Sequence, residues 1–167
     1  MAHFQYLIKA LARLAAALFV TAGFMLTYEV IARYFFSAPT IWAAELSQLT
    51  LIWGTLLAMA WLLGARHHIA VDALVDLLSP EQRRFTEAFA MLCVAAFSAV
   101  VAWKGWEIFL DSFERGRTTG SMLDLPTWVS ELAVPVGFAL LFLQALLEAY
   151  RSLTGERDID APHGGYE

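Results

Sequence analysis

One run of 20 residues, 46–65, contains no charged side chain, and it limits what this chain can fold into more than any other feature. A helix of about 20 apolar residues is long enough to cross the hydrocarbon core of a bilayer. Shorter uncharged stretches lie within three further apolar segments. The sequence therefore predicts an all-α integral membrane protein, whose four transmembrane helices span about residues 10–36, 41–65, 83–113 and 127–151.

The amino-acid composition points to the same environment. Charged residues make up 16% of the chain and hydrophobic residues 59%. Soluble domains carry roughly 25% charged and about 45–50% apolar residues. The sequence has no basic tract of the kind that binds nucleic acid. It also has no Gly-rich phosphate loop and no nucleophile motif. We therefore expect neither a nucleic-acid partner nor an enzyme.

The four helices form one predicted membrane domain, residues 1–153, followed by a polar tail, 154–167, that we expect to be disordered and cytoplasmic. Apolar residues within 66–84 predict a short amphipathic interfacial helix between helices 2 and 3. Residues 20–22, Val-Thr-Ala, resemble the cleavage site of a signal peptide. Because the apolar run continues past them, we prefer a transmembrane helix.

Two local features refine the third and fourth predicted helices. Charged residues at helical spacing follow the third apolar run, which predicts an ion-paired extension beyond the hydrocarbon. These residues are Lys104, Glu107, Asp111 and Arg115. Pro135 predicts a bend near the start of the fourth helix.

The distribution of basic residues predicts the orientation, because Lys and Arg are enriched in cytoplasmic loops. With the N-terminus in the cytoplasm, more basic residues lie inside than outside. The inside set is Lys9, Arg13, Arg66, Arg83, Arg84, Arg151 and Arg157, and the outside set is Arg33, Arg115 and Arg117. An outer aromatic belt then contains Trp42, Trp103, Trp106 and Trp128. We expect both termini inside (N-in/C-in).

Glu29 is the first candidate functional residue, since a carboxylate in a membrane helix is costly and often functional. Proton-coupled exporters of the four-helix small multidrug type carry such a residue in their first helix. The alternative is structural: Arg33 lies one helical turn further on, in the favourable i,i+4 orientation for an ion pair. The available partner favours the structural interpretation.

Other polar residues are weaker candidates. Glu45 begins the second helix, where an acid complements the helix dipole or anchors a partner protein. The adjacent His67 and His68 do not share a helix face and have no third ligand nearby, so we expect no metal site. All four histidines lie outside the apolar runs, which argues against haem. No polar set converges at mid-depth, as an autonomous channel or pump requires.

Several motifs occur in a specific order along the chain. They are E-V-x-x-R-Y at 29–34, P-x-x-W-x-x-E-L at 39–46, Trp53, R-H-H-I-x-V-D at 66–72, L-P-x-W at 125–128 and P-x-G-F at 135–138. Together they resemble the small membrane subunit of tripartite ATP-independent periplasmic (TRAP) transporters, the DctQ type. The resemblance extends from about residue 10 to 150.

That resemblance implies a three-part transport system in a bacterial inner membrane. A periplasmic binding protein delivers an organic anion, and a large DctM-type membrane subunit carries the substrate and sodium sites. The small subunit packs against the large one as part of its scaffold, surrounded by lipids, and holds no cofactor. The resemblance implies structural or partner-contacting roles, with no catalytic, cofactor or metal role, for Glu29, Arg33, Trp42, Glu45, Trp53, Arg66 and His68. Two questions stay open: which helix faces the large subunit, and whether the chain is instead a proton-coupled exporter that uses Glu29.

Overall fold

The computed structural model describes residues 2–65, 80–121 and 123–154. They form five helices: α1 (Ala2–Phe36), α2 (Ala43–Ala65), α3 (Pro80–Arg115), α4 (Trp128–Glu131) and α5 (Ala133–Thr154). Among these residues four segments are long and apolar enough to cross a membrane: Phe4–Phe36, Ala43–Gly64, Arg84–Arg115 and Trp128–Thr154. The predicted all-α membrane fold is confirmed. The predicted interfacial helix and tail lie outside the described residues.

Helices α1 and α3 are longer than a bilayer requires. Their 35 and 36 residues correspond to about 53 Å each at 1.5 Å per residue, against about 30 Å of hydrocarbon. The predicted ion pairs at the end of α3 are present. Lys104 Nζ lies 2.7 Å from Glu107 Oε2, and Asp111 pairs with both Arg115 (2.6 Å) and Arg117 (2.7 Å).

The helices pack as a row in the order α1–α2–α5–α3, which we call the helix row. α5 therefore lies between α2 and α3, although it follows both in sequence. At the loop end of the row, residues 37–42 and 116–127 connect the helices. At the N-terminal end, α1 begins while α2 and α5 finish.

Small residues make the contacts along the helix row close. The backbone at Gly54 approaches α1 so that an added Cβ would lie 3.4 Å from the Ala15 carbonyl oxygen and 3.5 Å from Leu18 Cβ. At Gly137 of α5, an added Cβ would lie 2.7 Å from Leu56 Cβ of α2. Small residues let membrane helices approach closely and gain dispersion contacts. Gly54 thus brings α2 close to α1.

The fourth predicted helix is divided in two at Leu132, between α4 and α5. Pro135 explains the break, because it lacks the N–H that would donate to the carbonyl four residues earlier, at Glu131. The interruption lies near the start of this segment, where the sequence predicts a bend. The interruption is local, since Leu132 keeps helical dihedral angles (φ −58°, ψ −29°), and α4 and α5 form one apolar segment, Trp128–Thr154.

Candidate functional site

The Glu29 carboxylate holds the turn between α1 and α2. Its side chain is 7% exposed, and each oxygen accepts hydrogen bonds. Oε1 accepts from Arg33 Nη2 (2.6 Å) and Nε (3.0 Å), and Oε2 accepts from the Thr40 backbone N–H (2.9 Å) and the Thr40 hydroxyl. The predicted Glu29–Arg33 pair is therefore present. With four hydrogen-bond donors around it, the Glu29 carboxylate has a structural role in this geometry: it links α1 to the turn.

Local sequence explains why the chain reverses beside Glu29. Ser37 adopts a left-handed conformation (φ 49°) and ends α1. The Ala38 N–H donates to the Ala32 carbonyl at 3.0 Å, and Pro39 follows, where a helix cannot continue. Trp42 then stacks on Tyr28 with ring centroids 5.9 Å apart. The sequence-predicted residues Glu29, Arg33 and Trp42 thus meet in one turn.

Glu45 connects α2 to the loop that follows α3. Its Oε2 accepts a hydrogen bond from Ser121 Oγ at 2.7 Å, and Ser121 in turn bonds to the Thr119 hydroxyl at 2.6 Å. The same loop is closed by a bond from the Thr119 N–H to the Leu125 carbonyl (2.9 Å). Glu45 also lies in the first turn of α2, as predicted.

Trp53 connects α2 to α4. Its indole N–H donates to the Val129 carbonyl at 3.0 Å, across 76 residues of sequence. On the other side of α4, the Trp128 ring makes edge contacts with Phe109 and Phe113 of α3. α4 is therefore held between α2 and α3. Arg66 and His68, the last two predicted residues, lie outside the described residues.

A second polar cluster, the Gln144 network, lies at the N-terminal end, and the sequence analysis missed it. Gln144 and Glu148 are 0% and 2% exposed. Gln5 Nε2 donates to Gln144 Oε1 (3.3 Å), Gln144 Nε2 donates to Glu148 Oε1 (3.0 Å), and Arg151 donates to the same oxygen (3.2 Å). The spacing of Gln144, Glu148 and Arg151 along one face of an apolar helix was the available signal.

The Gln144 network also lies against a glycine on α2. A Cβ added at Gly64 would lie 2.6 Å from Gln144 Nε2, so a larger residue there would displace the amide. The network thereby joins α1, α2 and α5. Among the described residues, no group of three His, Cys, Asp or Glu side chains could hold a metal ion.

Two shallow grooves run end to end along α2 and share Gln48 and Ile52. The first, near the loop end, is lined by Glu45, Gln48, Leu49, Ile52, Leu125, Val129 and Ser130. The second continues along α2 and is lined by Gln48, Leu51, Ile52, Thr55 and Leu56. We call the two together the α2 face. Gln48 and Thr55 are exposed there.

Comparison with known proteins identifies relatives over most of the chain. Residues 22–155 match the family described as the DctQ component of tripartite ATP-independent periplasmic transporters. The chain is 28% identical to the C4-dicarboxylate TRAP transporter small permease protein DctQ of Vibrio cholerae, over 85% of this chain and 71% of that protein. It is also 28% identical to the protein of that name from Rhodobacter capsulatus, over 70% of this chain and 51% of that protein.

A third relative has a longer chain. The isethionate TRAP transporter permease protein DctMQ of Oleidesulfovibrio alaskensis is 24% identical over 77% of this chain but only 22% of its own length. The family match covers well over half of the chain and includes the turn, the α2 face and α5. The protein belongs to the DctQ family and is a small permease subunit of a TRAP transporter, a multi-pass membrane protein of a transporter family and not of an enzyme family.

Proposed function

We propose that this chain is the scaffold subunit of a sodium-coupled TRAP transporter in a bacterial inner membrane. The transporter imports an organic anion that a periplasmic binding protein delivers. The chain packs against and stabilises a large DctM-type membrane subunit, and that subunit carries the substrate and sodium sites.

The openness of the helix row is the observation that carries this proposal. Only 17–22% of the residues in the apolar windows of α1, α2 and α3 are buried, and 44% in the segment containing α4 and α5. A carrier that works alone must enclose a polar route for its substrate. Here the polar clusters around Glu29 and Gln144 join one element to another at the two ends of the row. A helix row whose sides are exposed has apolar surface available to pack against a larger membrane protein and enlarge it.

The relatives support a partner of the large-subunit type. The DctMQ relative and the sialic acid TRAP transporter permease protein SiaT of Haemophilus influenzae are much longer, and this chain covers 22% and 15% of their lengths. In both, the matching region belongs to a longer permease chain. C4-dicarboxylates, isethionate and sialic acid are all organic acids, which supports an organic anion as the substrate.

We propose the α2 face as the docking surface for the large subunit. Gln48 is exposed on it and donates to no other described residue in the structure, although an unsatisfied amide in hydrocarbon costs free energy. A partner helix that supplies a hydrogen bond to Gln48 and fills the groove beside Ile52 would remove that cost. Interhelical bonds of this kind contribute to membrane helix association.

We also propose the N-in/C-in orientation. It places the loop end, with the Glu29 turn and α4, on the periplasmic side, where the binding protein arrives. The distribution of basic residues supports it. The exporter alternative is not favoured: it requires a Glu29 carboxylate that exchanges protons, and this carboxylate is occupied by Arg33 and Thr40.

The test is purification of the tagged chain from its native membrane in mild detergent, with mass spectrometry of the proteins that accompany it. We expect one large, many-helix membrane protein at about one-to-one. Ile52→Trp fills the α2 face and should reduce that yield, whereas Phe89→Trp, an aromatic exchange at a position of α3 that is 61% exposed, should not. Recovery of the chain alone, or only with itself, would overturn the proposal.

A further inference from the structure

A third groove, the α1–α2 groove, lies toward the N-terminal end and shares no residue with the α2 face. Its volume is about 620 Å³, within the roughly 300–1,000 Å³ of typical small-molecule sites. Its lining combines small residues, including Ala12, Ala16 and Ala58, with the bulkier Phe19, Trp61 and Leu62. The absence of side-chain bulk along the alanines creates the hollow.

The lining of this groove is apolar along its length and cationic at one end. Lys9 and Arg13 are exposed, lie one turn apart on α1 and contribute to the lining. Neither forms an ion pair with another described residue, and no acid precedes Glu29 in the sequence. The positive charges of Lys9 and Arg13 are therefore exposed and have no counter-charge from the described part of the chain.

The length of the α1–α2 groove matches the thickness of one half of the hydrocarbon core. From Lys9 to Phe19 is ten residues, or about 15 Å of helix, and half of the hydrocarbon core is also about 15 Å. Trp61 on the wall is of the residue type that is enriched at the membrane interface. A molecule that occupies this groove meets cations at headgroup height and apolar surface at acyl-chain depth.

We infer that the α1–α2 groove binds an anionic phospholipid of the leaflet at the N-terminal end, with its phosphate on Lys9 and Arg13 and one acyl chain against Ala12, Ala16 and Ala58. A partner helix would fill the apolar part but would have to supply acids for both cations. An anionic lipid supplies both the negative charge for the two cations and an acyl chain for the apolar part. The inference requires only that the chain spans a membrane, and it goes beyond the proposed scaffold role.

Native mass spectrometry of the purified full-length chain, with any subunit that accompanies it, tests this inference. The delipidated protein is titrated with dioleoyl phosphatidylglycerol and, separately, with dioleoyl phosphatidylcholine. Each basic side chain near an anionic headgroup contributes about 1 kcal/mol, so both together should give a preference of about 30-fold for phosphatidylglycerol. The double variant Lys9→Gln/Arg13→Gln should lose that preference. Arg84→Gln, which removes an exposed cation of α3 at the same end, should keep it.

A steric pair of variants tests the groove itself. Ala16→Trp fills the hollow and should abolish tight binding of the lipid, whereas Ala17→Trp, on an exposed neighbour outside the lining, should not. Equal affinity for the two lipids, or an equal loss in Arg84→Gln, would refute the inference. So would an Ala16→Trp variant that loses the large subunit but keeps the lipid, since that result identifies a protein as the occupant. None of these failures would remove the large subunit from the wild-type preparation, so the scaffold proposal is tested separately.

Discussion

The two polar clusters of this protein differ in what they join. At the loop end, Glu29 bonds to residues four and eleven positions away in sequence, so its contacts stay within α1 and the turn that follows. At the N-terminal end, Gln144 bonds to Gln5 across 139 positions, and the space for its amide depends on Gly64. The first cluster shapes one connection, whereas the second fixes three helices against one another.

That difference separates local order from assembly of the helix row. A polar side chain buried among apolar helices is destabilising unless it is bonded, so each network favours only the arrangement that satisfies it. Loss of the Glu29 contacts should loosen a turn and leave the helices in place. Loss of the Gln144 contacts should weaken the association of α1 and α2 with α5. The predictions below test this distinction.

Gln144→Leu should have the largest effect. The substitution introduces an apolar side chain of similar size and removes one hydrogen-bond partner each from Gln5 and Glu148. Because a typical hydrogen bond contributes about 0.5–1.5 kcal/mol and two are lost, we expect the free energy of unfolding of the purified chain to fall by about 2 kcal/mol. Denaturant titration of the chain in detergent micelles measures this change.

Gln48→Leu is the matched control, since it makes the same substitution at an exposed position of α2. For the isolated chain we expect a change within about 0.5 kcal/mol. In the intact transporter it should lower the yield of the large subunit. If both variants destabilise the isolated chain equally, the Gln144 network does not hold the helix row together.

Glu29→Gln should have a smaller effect that is confined to the loop end. The neutral amide still accepts hydrogen bonds but loses the charge that attracts Arg33, and neutral bonds are weaker than charge-assisted ones. We expect faster hydrogen exchange at the Thr40 amide and a modest fall in complex yield, with transport reduced in the same proportion. Glu114→Gln, at an exposed position near the same end, is the control. Normal complex yield with complete loss of transport would contradict the structural role.

Ser121→Ala should have the smallest effect. It removes one hydrogen bond to Glu45, and a typical bond contributes about 0.5–1.5 kcal/mol. We expect hydrogen exchange to increase at Thr119 and Leu125 while α5 stays protected. Ser130→Ala, which removes a bond within its own turn to the Thr127 carbonyl, should leave residues 117–121 unchanged. Exchange that rises across α5 would show that the loop contributes to the packing of the whole row.

Sequence alone predicts the parts of this protein that depend on local chemistry. The number of membrane helices follows from their apolar lengths, and the Glu29–Arg33 pair follows from i,i+4 spacing. The position of Glu45 in the first turn of α2 is similarly local. Each of these inferences needs only residues that are near one another along the chain.

The order of helices in the row could not be predicted in this way. A membrane helix is apolar on all sides, so hydrophobic periodicity does not identify the face that contacts a neighbour. The bond from Trp53 to Val129 and the Gln5–Gln144 pair join positions whose proximity exists only after the helices associate. The Glu148 and Arg151 spacing indicated a polar face on α5, but it did not indicate that α1 and α2 would meet it.

The order α1–α2–α5–α3 has a consequence for biogenesis. During synthesis, α1 and α2 can pair as a hairpin as soon as both have left the ribosome, because the contacts between these two helices need no later helix. α3 then enters the membrane before the helix that it packs against has been made, and it forms no extended contact with α2 among the described residues. Closure of the row therefore waits for the last helix, α5, which packs on one side against the α1–α2 pair and on the other against α3.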